Sequence, residues 1–312
     1  VENPYWETNR ELFENTAHRY TLSGTLKWNI TKWMSVTGRA RLDNTVMNYT
    51  RKIYASSNKL YASEFGNYQD NTIMHNNFYG DILLTIDKKF VDDKLSLTAN
   101  LGASLVDDKN KASGFEGHLA TVANKFSVYN ISMTHSQTKP YADRWHDQNQ
   151  AVYGTLQLGW NGMVYVDGTV RNDWSSQLAF TPNQSVCYYS AGLSGVISSM
   201  ADLSGAGISF LKVRGSYSTA GNPPQRFITG VNTPLTVGGN ISSDTYAPAK
   251  NLKPELTKSY EAGLNVKFLE DMFDLDVTYY NATTYNQLFQ YDAAPSTGYK
   301  QAYINAGKVN NY

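Results

Sequence analysis

The chain has 312 residues, with 27 basic and 27 acidic side chains and therefore a formal net charge of +0. This balance gives no case for nucleic-acid binding, which depends on clustered Lys and Arg. The single cysteine, Cys187, excludes an intrachain disulfide. Hydrophobic residues make up 41% of the chain, but no stretch approaches the roughly 20 continuous apolar residues that a membrane helix needs. A signal peptide is expected to be absent or already removed, because no basic segment precedes an apolar one at the start.

Five pairs of segments along the chain alternate between apolar and polar residues, and a short turn joins the two members of each pair. Such alternation is typical of β-strands with one apolar side. The segments are 20–28 and 34–43, 78–86 and 95–105, 152–160 and 164–174, 188–197 and 208–218, and 262–268 and 273–279. The pattern predicts about ten antiparallel strands, most of them near the 9–11 residues that cross a bilayer.

The connections between successive pairs are much longer than the turns within them. They are predicted near 50–76, 108–148, 177–187 and 221–256. Outer-membrane barrels have short periplasmic turns and long extracellular loops, so this asymmetry favours one transmembrane β-barrel domain over 1–312. In that orientation Glu270–Asp274 is a periplasmic turn.

The alternation also predicts which side chains face lipid. A Lys or Arg on the lipid side at mid-membrane costs about 2–4 kcal/mol, so the charged side of each strand is expected to face the lumen. The lumen-wall candidates are Arg39, Arg171, Asp173, Arg214, Lys267 and Asp276. Arg171 and Asp173 share that face, either as a wall-to-plug contact or as a solvated pair.

Aromatic residues are predicted to form two belts at the membrane interfaces. The interface candidates are Trp28, Trp33, Trp160, Trp174, Phe268 and Phe273. Further residues near the strand ends opposite the short turns are Tyr20, Tyr49, Phe78, Tyr153, Tyr188 and Tyr189. A soluble β-sandwich stays open at this point, because amphipathic antiparallel sheets also occur with the apolar side in a core.

No motif indicates catalysis or metal binding. The five histidines are scattered, and the sequence contains no HExxH, Walker A or GxGxxG motif. We therefore expect no enzyme activity, no catalytic or metal-binding residue and no cofactor.

Three ordered segments resemble the SusC/RagA family of TonB-dependent outer-membrane transporters of Bacteroidetes. The first is VRNDWSSQL at 170–178, followed by YYSAGLSGVIS and then ISFLKVRGSYSTAGN. The second is LKPELTKSYEAGLNVKF with DLDVTYYNATTYNQL, and the third is STGYKQAYINAGKV at 296–309. The last of these also looks like the start of a further strand.

The resemblance implies a barrel of about 22 strands, of which this chain is expected to be the C-terminal-side half without its last strands. The plug and the TonB-interacting segment are not in these residues. The implied function is active import of oligosaccharides or peptides with a SusD-like surface lipoprotein as lid. The implied partners are the TonB complex, reached through parts outside this chain, and outer-membrane lipid, and transporter–lipoprotein pairs could dimerise. The implied location is the bacterial outer membrane, crossed many times.

Aromatic residues of the long loops and the lumen rim are the candidates for contact with a substrate or a partner. They are Tyr54, Tyr61, Tyr68, Tyr141, Trp145, Tyr246, Tyr285 and Tyr291. Such side chains could stack on sugars, pack against peptides, dock a lipoprotein or simply pack the loops. A siderophore or cobalamin receptor and a structural or adhesive barrel are the alternative functions.

Overall fold

The computed structural model describes residues 3–60, 62–134, 138–231, 239–241 and 246–312. Within them, one α-helix, α1 (Pro4–Arg10), precedes a series of antiparallel strands that short 3-10 turns interrupt. The strands are β1 (Glu11–Asn29), β2 (Met34–Tyr54), β3 (Gly66–Phe90), β4 (Leu95–His118), β5 (Lys139–Trp160), β6 (Val164–Ser175), β7 (Ser185–Val196), β8 (Ile208–Asn222), β9 (Glu255–Phe268), β10 (Phe273–Tyr285), β11 (Leu288–Asp292), β12 (Gln301–Asn305) and β13 (Lys308–Asn311).

Eleven of these strands form one sheet in the order β1 to β10 and then β13. The ten predicted strands are thus present and pair with their sequence neighbours. The further strand that was predicted to begin within 296–309 forms two short strands instead. Residues 301–305 pair with β11 in a separate two-stranded sheet, and only Lys308–Asn311 continues the wall by pairing with β10.

The strands continue well beyond the segments that the alternation identified. β2 reaches Tyr54 and β3 begins at Gly66, so the first connection is 55–65 rather than 50–76. Similarly, β4 and β5 reduce the predicted 108–148 to 119–138. The hydrophobic pattern missed these extensions because it marks only the lipid-facing part of a strand, whereas backbone pairing continues with polar side chains on both faces. The remaining two long connections are 176–184 and 223–254.

The turn between β9 and β10 is also shorter than predicted. It comprises residues 269–272, and Asp274 belongs to the strand rather than the turn. Leu269, Glu270 and Asp271 all have left-handed backbone conformations, with φ of 54°, 56° and 66°. This conformation is uncommon outside glycine, asparagine and aspartate, and it reverses the chain in few residues.

The sheet itself has little buried core. Two small clusters instead form where the long connections fold back. The first joins Tyr68, Leu119 and Ile131, and the second joins Ile228, Leu252 and Tyr303. In the described part of the chain, no helix has the length and apolar character needed to cross a bilayer.

β7 and β8 diverge at the end of the sheet that carries the long connections. Their backbone pairing stops at Ser190 and Ser218, although β7 begins at Ser185. Beyond that point the Thr219 hydroxyl takes the place of the ladder. It accepts a hydrogen bond from the Tyr189 N–H at 2.8 Å and donates one to the Tyr189 carbonyl at 3.0 Å.

Candidate functional site at the lumen rim

The strand register places the apolar side chains together on one face of the wall. Leu22 lies opposite Leu42, and Leu42 lies opposite Phe78. This face is uncovered, since Leu22 and Leu26 are 70% and 77% exposed. The core of a soluble sandwich would bury such residues, so the apolar face is the one suited to lipid.

The opposite face carries all six predicted lumen-wall residues, and each has a partner of opposite charge. Arg171 and Asp173 contact each other at 2.7 Å, and Arg214 and Asp276 do so at the same distance. Lys267 lies 3.9 Å from Asp274. Arg39 reaches Asp81 at 2.7 Å, and the Asp81 side chain is fully buried. These six residues therefore belong to a ladder of ion pairs on the polar face, and the role of that face as the lumen wall stays a prediction.

The six predicted interface aromatics lie beside the short turns or at the opposite strand ends. Phe268 stacks on Phe273 with ring centroids 5.4 Å apart. The outward exposed members are Trp28, Trp160, Trp174 and Phe273, and Trp33 lies in the turn between β1 and β2. Their placement at a bilayer interface stays a prediction.

Three of the further aromatic predictions face the other way. The register puts Tyr49, Tyr153 and Tyr188 on the polar face, since Tyr153 and Tyr188 both lie opposite Arg171. The Arg171 guanidinium lies 5.5 Å from the centre of the Tyr153 ring. The prediction used only the position of these tyrosines along the strand, which does not determine the face. In the alternation, each of them occupies a position of the polar set rather than of the apolar set.

The apolar face carries a different aromatic row, of which only Tyr189 was among the predicted strand-end residues. Tyr189, Tyr217 and Tyr260 lie side by side on β7, β8 and β9, with ring centroids 5.9 and 4.8 Å apart. The alternation could have identified this row, because each tyrosine has the same parity as the apolar residues of its strand.

A cluster of charged side chains and one indole lies on the polar face where β3, β4 and β5 pass above the apolar band. Asp147 of β5 is 7% exposed and stands directly opposite Asp108 of β4. Two carboxylates facing each other repel unless a cation compensates them. His75 Nε2 lies 2.6 Å from Asp108 Oδ1, and Arg226 contacts Asp147 Oδ2 through Nη2 at 2.8 Å and Nε at 2.9 Å.

Trp145 completes the cluster, which we call the rim cluster (His75, Asp108, Trp145, Asp147 and Arg226). The Arg226 guanidinium lies 3.7 Å from the centre of the indole, a close cation–π contact. The His75 ring centroid is 5.7 Å from that of Trp145. Only Trp145 was predicted among these residues. Arg226 was missed because it comes from a connection without a periodic pattern. His75, Asp108 and Asp147 were missed because nothing in the sequence places them beside Arg226.

The connection that contributes Arg226 is held firmly at this point. Phe227 has a left-handed backbone, with φ of 66°, and is 53% exposed. The next two residues, Ile228 and Thr229, are 2% and 4% exposed. A left-handed β-unbranched residue costs of order 1 kcal/mol, so the buried contacts on both sides must hold the chain in place. The Arg226 contacts with Asp147 and Trp145 therefore join a segment that the buried residues beside it also hold in place.

The predicted loop aromatics separate into packed and exposed groups. Tyr54 packs edge-on against Phe126 at 4.9 Å, and Tyr246 packs on Tyr303 at 5.3 Å. Tyr285 lies between the ammonium groups of Lys258 and Lys308, at 5.3 and 5.4 Å. These contacts stabilise loops and strand ends.

The remaining candidates are more varied. Tyr141 and Tyr291 are 40% and 52% exposed and are available for contact. Tyr61 lies outside the described residues. Tyr68 is buried, and its hydroxyl donates to Asp70 Oδ2 at 3.1 Å. Burial, followed by the neighbouring Asp70 charge, raises the pKa of Tyr68 to about 12, which keeps this hydroxyl protonated at physiological pH.

The rim cluster is suited to binding, since it offers both signs of charge and an aromatic surface. The described residues contain no group of three or more His, Cys, Asp or Glu side chains placed to hold a metal ion.

Known proteins give the same architecture. The family model described as "TonB dependent receptor-like, beta-barrel" matches residues 1–312. Two structures of the RagAB peptide importer superpose on 98% of this chain with TM-scores of 0.82 and 0.84, at 19% and 20% identity, and the chain spans 34% of theirs. The ferric-catecholate import receptor Fiu of E. coli superposes on 97% of the chain with a TM-score of 0.58, at 11% identity, and the chain spans 44% of it.

A curated relative, TonB-dependent receptor P3 of Formosa agariphila, is 24% identical over 239 residues, which is 73% of this chain and 23% of that protein. The chain thus spans less than half the length of each of these relatives. Its sheet has the neighbour-to-neighbour antiparallel order and the two-faced pattern that a barrel wall requires. The chain belongs to the TonB-dependent receptor-like β-barrel family, whose members reside in the bacterial outer membrane.

Proposed function

We propose that this chain forms part of the wall of a TonB-dependent nutrient importer that works with a SusD-like surface lipoprotein and takes up peptides or oligosaccharides. The observation that carries the proposal is the difference in fold likeness. The TM-score is 0.84 against a structure of the RagAB peptide importer and 0.58 against the ferric-catecholate receptor, with almost the same share of the chain covered. This difference favours the first type over a siderophore receptor.

The rim cluster supports a peptide as substrate. The Arg226 side chain is 36% exposed beside the mostly buried Asp147, and it could pair with the carboxylate terminus or an acidic side chain of a short peptide. Arg226 also covers one face of Trp145, so the indole is less free to stack on a sugar ring. Oligosaccharides are the second substrate class, since carboxylates and exposed tyrosines such as Tyr141 also bind hydroxylated rings.

The proposed partners follow from the same likeness. The lipoprotein would close over the end of the wall that carries the long connections, where Tyr141 and Tyr291 are exposed. Coupling to TonB, and so to the proton gradient, would occur through parts of the protein outside these residues.

The experiment is deletion of the gene in its own host, followed by growth on single sources of peptide, glycan and chelated iron. We expect loss of growth on one peptide or glycan source and restoration by the wild-type gene. Complementation with Trp145→Ala tests the rim, and Tyr129→Ala, whose side chain is fully exposed on a loop, is the matched aromatic control. Loss of growth only under iron limitation would contradict the proposal and identify a siderophore receptor.

A further inference from the structure

The lipid-facing side of the wall has a depression between two aromatic side chains. A groove of about 450 Å³ lies between Phe78 of β3 and Trp174 of β6. The groove is shallow and open, with the small residues Gly80 and Ala103 and the apolar Leu105 in its lining. The bilayer supplies hydrocarbon chains to this face, so the groove has the shape and apolar character to hold one acyl chain.

Directly above this groove, the same face of β4 and β5 becomes basic. Lys109 lies opposite His146, and two residues further along Lys111 lies opposite Arg144. All four side chains are exposed. Asp107 contacts Lys109 at 2.8 Å and His146 at 2.7 Å, and so compensates that pair.

Lys111 and Arg144 have no such compensation. Like charges directly opposite each other on a sheet are destabilising, and within the described residues neither side chain has a carboxylate as ion-pair partner. An anion placed between them would remove this repulsion. Guanidinium and ammonium groups together are the usual partners of phosphate.

The groove and the basic pair are aligned along the same strands. Gly80, Leu105 and Gln150 form the row at the groove, and Lys111 is six residues further along β4 than Leu105. At about 3.3 Å per residue, the separation is roughly 20 Å along the strand, and less along the membrane normal because barrel strands tilt by about 35–45°. An apolar chain below and phosphates above are the two halves of a membrane lipid.

We propose that this surface binds a phosphate-bearing lipid of the outer leaflet, with an acyl chain between Phe78 and Trp174 and its phosphate between Lys111 and Arg144. The inference rests on the orientation in the proposed function, in which the long connections are extracellular. Of the lipids in that leaflet, a phosphorylated glycolipid fits best, because its headgroup reaches above the bilayer surface to the height of the basic pair. The uncompensated charge and the continuity of the groove with the lipid-facing band argue for a lipid over a protein occupant.

The test uses the protein as the cell makes it, extracted in mild detergent from its own outer membrane. Native mass spectrometry and phosphate analysis measure the lipid that co-purifies. We expect Lys111→Glu/Arg144→Glu to lower bound phosphoglycolipid at least tenfold, and Ala103→Trp, which fills the groove, to lower it at least threefold. The control Lys250→Glu/Lys300→Glu makes the same change of charge on exposed loop residues and should retain the lipid.

Reloading separates the sources of phosphate. Delipidated protein is offered vesicles of phosphatidylcholine with a diphosphorylated glucosamine lipid, vesicles with phosphatidylglycerol instead, or inorganic phosphate alone. Preferential uptake of the glucosamine lipid supports the proposal, and Lys111→Arg/Arg144→Lys should preserve it. Binding of inorganic phosphate equal to that of the lipid, no effect of Ala103→Trp, or equal loss in the loop control would each overturn it.

Heat-modifiable gel mobility reports whether each variant is folded, and only folded variants are compared. The outcome is independent of transport. A protein that binds the lipid but supports no nutrient uptake contradicts the proposed function alone, whereas a working importer without bound lipid contradicts this inference alone.

Discussion

The contact of Arg226 with Asp147 is expected to hold the 223–231 segment over the lumen rim, and Arg226→Ala should release it. The substitution removes both guanidinium hydrogen bonds to Asp147 Oδ2 and the cation–π contact with Trp145. Asp147 is then left with one donor, Gln177 Nε2 at 3.3 Å, and still faces Asp108 across the strands. The carboxylate therefore loses its only cation in the described structure.

The magnitude follows from how buried the two partners are. Breaking a fully buried ion pair costs about 3–5 kcal/mol, and an exposed pair contributes about 0–1 kcal/mol. The Asp147 side chain is 10% exposed and that of Arg226 is 36% exposed, so a cost of about 2–3 kcal/mol is appropriate for this intermediate burial. Since each 1.4 kcal/mol is a factor of ten, the open segment should become roughly 30- to 150-fold more populated.

Limited proteolysis and hydrogen exchange of the 223–231 backbone measure this population, because cleavage of a briefly opened segment follows the opening equilibrium when closing is fast. Arg226→Lys should give a smaller increase, because the ammonium keeps the charge but lacks the planar fork. Lys250→Ala, an exposed side chain of the same connection, is the control. Phe227→Gly should protect the segment slightly by relieving the left-handed backbone at φ 66°.

A result in which Arg226→Ala and Lys250→Ala show the same cleavage rate would refute this reasoning. It would mean that the neighbouring buried residues Ile228 and Thr229 hold the segment without help from the ion pair.

Three further predictions test the apolar face, the β7–β8 divergence and the buried tyrosine. Val170→Lys, on the lipid side, should lower the stability in vesicles by about 2–4 kcal/mol, and the adjacent polar-face Thr169→Lys should leave the urea midpoint nearly unchanged. Thr219→Val should cost about 1–3 kcal/mol in the same assay, because two backbone groups of Tyr189 lose their partner. Since the pKa of Tyr68 is raised to about 12, the protonated phenol stabilises the loop up to about pH 10, and this contribution declines by about 2–3 kcal/mol between pH 10 and 12. The absorbance difference at tyrosinate wavelengths between wild type and Tyr68→Phe should therefore have its midpoint near pH 12, and a midpoint near 10 would contradict the burial argument.

The parts of the fold that were predictable from sequence are those that the bilayer imposes. Lipid requires an apolar residue at every second position over a fixed length, so Leu22, Leu42 and Leu264 mark their strands without any knowledge of the neighbours. The same rule puts Arg39 and Arg214 on the face opposite the apolar residues, and the register agrees. That this face lines the lumen stays a prediction. It could not place the strand ends, because above the apolar band backbone pairing imposes no side-chain pattern.

The rim cluster was mostly unpredictable for a different physical reason. Asp108, Asp147 and His75 are on the expected face, but their importance comes from one residue, Arg226, which is 79 positions from Asp147. Contacts of this kind depend on how a connection folds back, and they leave no periodicity. The basic pair Lys111 and Arg144 was missed likewise, since their opposition exists only once the register of β4 and β5 is known.

The ion pair of Arg39 and Asp81 offers a test of whether such pairs stabilise the wall, because its two side chains differ in burial. The Asp81 side chain is fully buried, whereas the Arg39 side chain is 46% exposed. Arg39→Ala leaves a buried carboxylate with no cation, and by the same intermediate-burial argument it should cost about 2–3 kcal/mol. Asp81→Ala leaves a guanidinium that turns into the aqueous lumen, and it should cost about 1–2 kcal/mol, close to the loss of charged hydrogen bonds alone. The double variant should then be more stable than Arg39→Ala. Urea unfolding from vesicles measures all three proteins. Equal costs for the two single variants would show that both side chains are equally solvated, and the ladder of charges would then contribute solubility in the lumen rather than stability to the wall.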